Sequence, residues 1–138
     1  MKLLTKDTDY AVRAIVHIAR NSDVYTSSRR IAEAEGIPLQ FLRAILRTLT
    51  REGIIVAREG ARGGVKLKAR PRDVRVSDII KIFQGDIELS ECMFRKRLCS
   101  KRSTCVLRAR IKAIEKMVSR EFEKVTIATL INDLGGNS

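Results

Sequence analysis

The chain has 138 residues, and its 28 lysines and arginines outnumber its 16 aspartates and glutamates, which gives a formal net charge of +12. No apolar run of about 18 residues is present, which excludes a membrane-spanning helix. The start of the chain, MKLLTKDTDY, lacks the apolar core of a signal peptide. We therefore expect a cytoplasmic protein with one ordinary domain and an appended element.

The positive charge favours a polyanionic partner, of which nucleic acid is the usual one. Single strands are bound by stacking their bases on aromatic side chains, but the chain has only four Phe, two Tyr and no Trp. Double-stranded DNA is therefore the favoured partner. A basic surface without a specific partner is the alternative.

A helix-turn-helix is predicted in the N-terminal third. Residues 9–20 repeat apolar positions at intervals of three and four, as one face of a helix does. Ser27 or Ser28 can cap the next helix, RRIAEAE, which stops at Gly36. Pro38 suits the first turn of the following helix, PLQFLRAILRTLTRE, which ends at the next glycine. Two helices joined by a glycine-containing turn are typical of the motif.

The second of these helices separates an apolar face from a basic one. The apolar stripe consists of Leu42, Ile45, Leu46 and Leu49. At about 100° per residue, the opposite side presents Gln40, Arg43, Arg47 and Arg51. Such arginines can form a solvated face, but without an acid among them they indicate recognition. Arg can pair with guanine and Gln with adenine in the major groove.

A hairpin follows the two helices. Two β-type runs, residues 54–58 and 65–69, flank the turn EGARGG, whose glycines suit a tight hairpin. The order helix, turn, helix, hairpin predicts a winged helix. Arg62 lies at the tip of the hairpin, and the narrow minor groove of A·T-rich DNA attracts an inserted arginine. Phosphate contacts are expected from Arg58, Lys66 and Lys68, and the predicted DNA contacts also include Ser28 and Arg29.

The next helix leads into a segment that holds every cysteine of the chain. Ser77 can cap this helix, DIIKIFQ, which Gly85 stops. Within CMFRKRLCSKRSTC lie Cys92, Cys99 and Cys105, with six and five residues between them. Neighbouring cations favour the thiolate, which binds metals and acts as a nucleophile. The spacings disfavour zinc but are compatible with an iron–sulfur cluster. A thiol sensor, a disulfide or inert cysteines are the alternatives.

From Cys105 onward the sequence predicts one long helix. Its apolar stripe consists of Leu107, Ile111, Ile114, Val118, Phe122 and Val125. This helix exceeds the usual length of ~11–12 residues, and the rest of the domain has little core to cover it. A second copy of the chain is therefore the expected partner, and docking within one monomer is the alternative. Beyond Thr126 the apolar positions move to another face, so either the helix breaks there or its tail packs back on the body.

Several stretches carry a resemblance to one bacterial family: TDYAVRAIVHIA, RRIAEAEGIPLQFLRAILRTLTREGII, GARGGVKL, VSDIIKIFQG and the cysteine triad. Over nearly its whole length the chain resembles the winged-helix iron–sulfur transcriptional regulators of the IscR, NsrR and RirA type. The resemblance implies a mainly α fold with a small β-hairpin wing and a long C-terminal dimerisation helix. It also implies a homodimer that reads a pseudo-palindromic operator, with a DNA-binding domain at 1–85, a cluster loop at 86–104 and a dimerisation helix and tail at 105–138.

The same resemblance implies the cluster ligands. In such regulators three cysteines bind a [2Fe–2S] or [4Fe–4S] cluster, and a fourth ligand comes from elsewhere. IscR-like members use a histidine two residues after the third cysteine, where this chain has Leu107. NsrR-like members use an aspartate near the N-terminus of the partner subunit, and Asp9 occupies that place. We therefore expect the three cysteines and Asp9 around a [4Fe–4S] cluster in preference to [2Fe–2S], with Asp7 as the second choice. A helix N-terminal acid is the alternative interpretation of Asp9.

The predicted function is a homodimeric transcriptional regulator, of the repressor kind, that senses iron–sulfur status, nitric oxide or redox stress. The alternatives are a thiol-based regulator without metal and a nucleoid-type DNA-binding protein without a sensing role. An enzyme is not expected. The single histidine, His17, has no apparent catalytic partner, no phosphate-binding glycine loop follows a strand, and the carboxylates show no paired pattern.

Overall fold

The computed structural model describes residues 3–89 and 106–136. Its elements are α1 (Lys6–Arg20), α2 (Ser28–Glu35), α3 (Leu39–Arg51), β1 (Ile55–Arg58), β2 (Gly64–Leu67), α4 (Val76–Phe83), α5 (Val106–Lys124) and α6 (Ile127–Gly136). A short 3-10 turn at Pro71–Asp73 joins the hairpin to α4. Three helices followed by an antiparallel hairpin form a winged helix, and a long helix follows near the C-terminus. The predicted fold class is confirmed.

α1 is the helix around which the other elements pack. Its buried face includes Ala11, Ala14, Ile15 and Ile18, all of which are fully buried. The helix contacts α2, α3, α4, α6 and β2. Because the two alanines are small, neighbouring elements approach the helix closely, and the two isoleucines fill the space between them.

α1 begins earlier than its apolar pattern predicted, at Lys6 and not at residue 9. Thr5 caps the helix, and its side-chain oxygen accepts a hydrogen bond of 3.3 Å from the Thr8 N–H. Gln84, at the end of α4, accepts hydrogen bonds from the Thr5 N–H at 2.9 Å and from the Thr8 hydroxyl at 2.8 Å. The Thr5 cap and the long-range contact with Gln84 fix the start of α1. Neither can be recognised from the spacing of apolar residues.

The helix-turn-helix is formed by α2 and α3. Ser27 caps α2, since its hydroxyl accepts a hydrogen bond of 3.2 Å from the Arg30 N–H. Gly36 ends the helix in the left-handed conformation, with φ of 64°, which a glycine adopts without strain. Pro38 lies one residue before α3 rather than within its first turn. The apolar stripe of α3 is buried as predicted: Leu42, Ile45, Leu46 and Leu49.

The wing is a two-stranded antiparallel hairpin tied to the segment before α2. In its register Ile55 lies opposite Leu67, and Arg58 lies opposite Gly64. Thr26 pairs with Val65 through two backbone hydrogen bonds, of 2.9 Å from the Thr26 N–H and 2.8 Å from the Val65 N–H. Because Thr26 is buried, this bridge fixes the hairpin against the helix-turn-helix.

α4 begins at Val76, so the prediction that Ser77 caps it is wrong. The Arg75 N–H donates a hydrogen bond of 3.1 Å to the Asp78 carboxylate, and the Val76 N–H donates one of 2.9 Å to the Val125 carbonyl. Backbone pairing of residue 75 with Thr126 accompanies these bonds. A tertiary contact with the distant C-terminal part therefore sets the start of this helix, and Ser77 falls within its first turn.

The long C-terminal helix breaks where its apolar pattern changes face, and the tail packs back on the body. α5 ends at Lys124, and Thr126 caps α6 by accepting a hydrogen bond of 3.1 Å from the Thr129 N–H. Ile127 is fully buried, and its N–H donates a hydrogen bond of 2.9 Å to the Val74 carbonyl. Both outcomes that the sequence left open thus occur together.

α5 lies at the edge of the fold and has no fully buried residue. It packs on α4 through a small second cluster: Val76, Ile80 and Ile87 on one side, with Val118, Phe122 and Val125 on the other. Across the two described ranges, no helix is long and apolar enough to cross a membrane.

Candidate nucleic-acid interface and the cysteine segment

The outer face of α3 presents the predicted recognition side chains. Its exposed polar positions include Gln40, Arg43, Arg47 and Arg51. Arg51 lies 3.5 Å from the Thr48 hydroxyl, whereas Arg43 and Arg47 form no ion pair within the described part of the chain. Because α3 contains no acid, its guanidinium groups remain available to an anionic partner.

α3 and the wing share one continuous surface. A shallow groove of about 300 Å³ runs between them and is lined by Arg43, Leu46, Arg47, Thr50, Ala57 and Val65. The floor is apolar, and the guanidinium groups stand along the α3 side. The structure thus brings together two features that the sequence predicted separately, the basic helix and the hairpin.

The tip of the wing is a tight turn with Arg62 exposed at its end. The Gly63 N–H donates a hydrogen bond of 3.0 Å to the Gly60 carbonyl. The Arg58 side chain turns back onto the wing, where its Nη2 donates a hydrogen bond of 2.8 Å to the Arg62 carbonyl. Its guanidinium carbon lies 4.1 Å from the centre of the Tyr25 ring. Sequence reasoning missed Tyr25, because no local pattern connects it with a residue of the hairpin.

The other predicted DNA contacts lie near this surface. The Lys66 ammonium is 5.8 Å from the centre of the Tyr25 ring, and Lys68 is exposed just after β2. Ser28 is half-buried and Arg29 exposed in the first turn of α2, immediately after the Thr26 bridge to the wing. Their roles toward DNA stay predictions.

Asp9 lies in the first turn of α1, where an acid interacts favourably with the helix dipole. Its carboxylate is 3.2 Å from the Arg13 guanidinium, and its side chain is 56% exposed. The same arginine donates a hydrogen bond of 2.9 Å to the Glu35 carbonyl, which ties α1 to α2. The helix-acid interpretation is satisfied within one chain, yet the carboxylate remains accessible from outside. His17 lies 3.5 Å from the Glu35 carboxylate.

Cys92, Cys99 and Cys105 lie outside the described residues, and so does most of the predicted cluster loop. The residues just before the cysteine segment, Ile87 and Leu89, contact α5. Ile87 is buried beside Phe122, and the Leu89 N–H donates a hydrogen bond of 3.2 Å to the Glu115 carboxylate. Within residues 3–89 and 106–136, no three His, Cys, Asp or Glu side chains come together as a metal site. The cysteine ligands therefore stay predictions.

Comparison with known proteins agrees with this architecture. The Rrf2 family model, described as an iron-dependent transcriptional regulator, matches residues 4–133. The chain belongs to the Rrf2 family. This Rrf2 protein is a transcriptional regulator, as its family is described.

Two relatives illustrate the similarity in sequence. Protein aau3 of Rhizobium meliloti (strain 1021) is 32% identical over 121 residues, which cover 87% of this chain and 77% of that protein. The HTH-type transcriptional repressor NsrR of Streptomyces coelicolor is 28% identical over 130 residues, which cover 93% of this chain and 87% of that protein.

Two solved structures show the same fold. IscR of T. potens superposes with a TM-score of 0.77 at 23% identity, covering 97% of this chain and 88% of that chain. CymR, the global cysteine regulator of B. subtilis, superposes with a TM-score of 0.77 at 21% identity, covering 96% and 98%. At this level of identity the agreement establishes the shared fold of the Rrf2 protein.

The attachment of the wing can be tested at Gly64. Its φ is 145°, and a Cβ atom there would overlap the Thr26 carbonyl. Gly64→Ala should lower the free energy of unfolding by about 1–3 kcal/mol, because the backbone conformation is strained for any other residue. Gly135→Ala is the control, since a Cβ atom meets open space there. Urea unfolding measures both variants, and equal stability of Gly64→Ala and the wild type would contradict the close approach.

Proposed function

We propose that this Rrf2 protein is a homodimeric repressor that reads a pseudo-palindromic operator and whose affinity depends on an iron–sulfur cluster in the cysteine segment. One observation carries the proposal: the basic face of α3 and the wing form a single exposed surface around one groove.

The surface has the shape and charge that duplex DNA requires. An α-helix fits the major groove, and an arginine there can bond bidentately to guanine. Arg43 and Arg47 stand on the exposed face of α3, with Gln40 about one turn before Arg43. Arg62, at the wing tip, can then enter the neighbouring minor groove, whose negative potential is strongest where A·T pairs narrow it.

The exposed stripe of α5 supports a second copy of the chain as its partner. Four of its apolar side chains are 48–81% exposed: Val106, Leu107, Ile114 and Met117. Soluble monomers rarely leave large contiguous apolar patches uncovered. A stripe on one long helix can pack on its own copy about a two-fold axis, which is the commonest symmetry of homodimers. A two-fold dimer would place two winged helices on the two half-sites of a palindrome.

The donor chemistry fits an iron–sulfur cluster. The three cysteine thiols lie in the stretch from Cys92 to Cys105, which contains five cations and no acid, and cations stabilise the thiolate form. Asp9 offers an exposed carboxylate that, among the described residues, forms an ion pair with the partly exposed Arg13. We propose the three cysteines and Asp9 of the partner subunit as ligands. A cluster bound there would supply a redox-active centre whose potential depends on its ligands and solvent exposure.

The DNA-reading roles are testable by sequencing the duplexes that each variant retains from a randomised pool. Arg47→Ala should relax the preference at one base pair per half-site, at a cost of about 1–3 kcal/mol. Arg62→Ala should weaken binding most where the flanks are rich in A·T. Lys68→Ala is the control, because the loss of a phosphate contact lowers affinity evenly across sequences. If all three variants lose affinity evenly, Arg47 and Arg62 do not read sequence. If the wild type shows no preference, the nucleoid-type alternative holds.

The cluster and its fourth ligand are testable by iron and sulfide analysis of protein purified without oxygen. The wild type should be brown and contain iron and sulfide in equal amounts, about four of each per chain for the favoured cluster type. Asp9→Ala should lose most of the iron, whereas Asp7→Ala, two residues away in the same turn, should retain it. Colourless, iron-free wild-type protein would contradict the cluster and favour a thiol switch. Iron loss in Asp7→Ala alone would move the ligand to Asp7.

A further inference from the structure

We infer that Tyr25 is a positioning residue for the wing: it holds Arg58, and through Arg58 it aims Arg62, so that it sets the preference for A·T-rich flanks. The inference rests on the proposed DNA-reading function. It assigns Arg58 a role inside the protein, in place of the phosphate contact that its charge suggested.

The Arg58 guanidinium contacts both the Tyr25 ring and the Arg62 backbone. The guanidinium carbon of Arg58 lies 4.1 Å above the centre of the Tyr25 ring, within the distance at which an arginine stacks on an aromatic face. The same guanidinium donates a hydrogen bond of 2.8 Å from Nη2 to the Arg62 carbonyl. One side chain thus spans the wing turn and fixes the peptide group that follows Arg62.

Tyr25 lies in the segment that leads into α2, outside the two strands of the wing. It precedes Thr26, whose backbone makes the two hydrogen bonds with Val65, and Ser27, which caps α2. The ring is half-buried between these anchors. The contact between Tyr25 and Arg58 therefore joins the turn of the wing to the segment that leads into α2.

The turn itself is built to accept this arrangement. The strands end with Arg58 opposite Gly64, and a Cβ atom at residue 63 would overlap the Arg58 carbonyl. The two sides of the turn therefore lie in direct contact. The Lys66 ammonium, by contrast, stands 5.8 Å from the centre of the same ring and makes no hydrogen bond among the described residues. Its long side chain is free to follow a phosphate, whereas that of Arg58 is held at both its face and its edge.

The consequence concerns specificity more than affinity. An arginine in the minor groove distinguishes A·T-rich from G·C-rich DNA only if it is presented at the right depth, because the discrimination comes from groove width. If the wing tip loses its support, Arg62 can still meet phosphates in many orientations. Loss of the contact between Tyr25 and Arg58 should therefore reduce the preference for A·T-rich over G·C-rich flanks several-fold, while much of the overall affinity remains.

The test compares two duplexes that contain the core sequence selected by the wild type, one with A·T-rich flanks and one with G·C-rich flanks. The measured quantity is the ratio of the two dissociation constants. Tyr25→Leu and Arg58→Lys should both lower the ratio several-fold, since the first removes the ring and the second removes the planar group that stacks and donates. Tyr25→Phe should keep the wild-type ratio because it retains the ring. Lys66→Ala should weaken binding to both duplexes alike.

A double variant separates this role from general destabilisation. If Tyr25 acts through the wing tip, adding Tyr25→Leu to Arg62→Ala should not change the ratio further. If Tyr25→Leu keeps the wild-type ratio while Arg62→Ala alone abolishes the preference for A·T-rich flanks, the positioning role of Tyr25 is overturned and the proposed function stands. A loss in Tyr25→Phe equal to that in Tyr25→Leu would overturn it too, because the hydroxyl would then be the group that matters. If Arg62→Ala keeps the wild-type ratio, both the proposed minor-groove contact of Arg62 and the positioning role of Tyr25 are contradicted.

Discussion

The backbone pairing of Thr26 with Val65 is the interaction on which the proposed DNA-binding surface of α3 and the wing depends. A two-stranded hairpin is marginal by itself, and here two buried hydrogen bonds attach it to the segment that leads into α2. The approach is close enough to require glycine at residue 64. Without this attachment, the groove between α3 and the wing would have no fixed width, and Arg62 would have no fixed position relative to Arg43 and Arg47.

α1 and α6 connect this surface to the rest of the molecule. α1 packs against α2 and α3 of the helix-turn-helix and also against α4 and α6. α6 returns to the body through Ile127, which is fully buried, and this holds the C-terminal end of α5 beside α4. The cysteine segment joins α4 to the start of α5. In the proposed dimer, a change in this segment would act on the helix that sets the distance between two winged helices, and half-sites tolerate little change in that distance.

The features that were predictable from sequence are those recorded in local patterns. The stripe of α3 repeats at helical intervals, the turn of the wing is marked by glycines, and the change of face after Thr126 marks the break between α5 and α6. The family could be recognised from sequence for the same reason, because the resemblance rests on contiguous motifs. The match to the Rrf2 family model confirms it.

The features that were not predictable depend on residues far apart in the chain. The start of α1 depends on Gln84, and the start of α4 depends on Thr126 and Val125. The stacking of Arg58 on Tyr25 joins the wing to a different segment, and charge alone suggested that this arginine faces DNA. In each case a tertiary contact overrides a local signal. The cysteines and their ligand set remain predictions from sequence.

The most direct test of the whole account is the operator affinity of protein purified without oxygen, compared with that of Cys99→Ala under the same conditions. If the cysteine segment controls the placement of the two winged helices, the two dissociation constants should differ by about 5–150-fold, the usual range of coupling between distinct sites. Equal affinity in the two proteins, with the same selected DNA sequence, would show that DNA reading is independent of the cysteines and would contradict the proposed control.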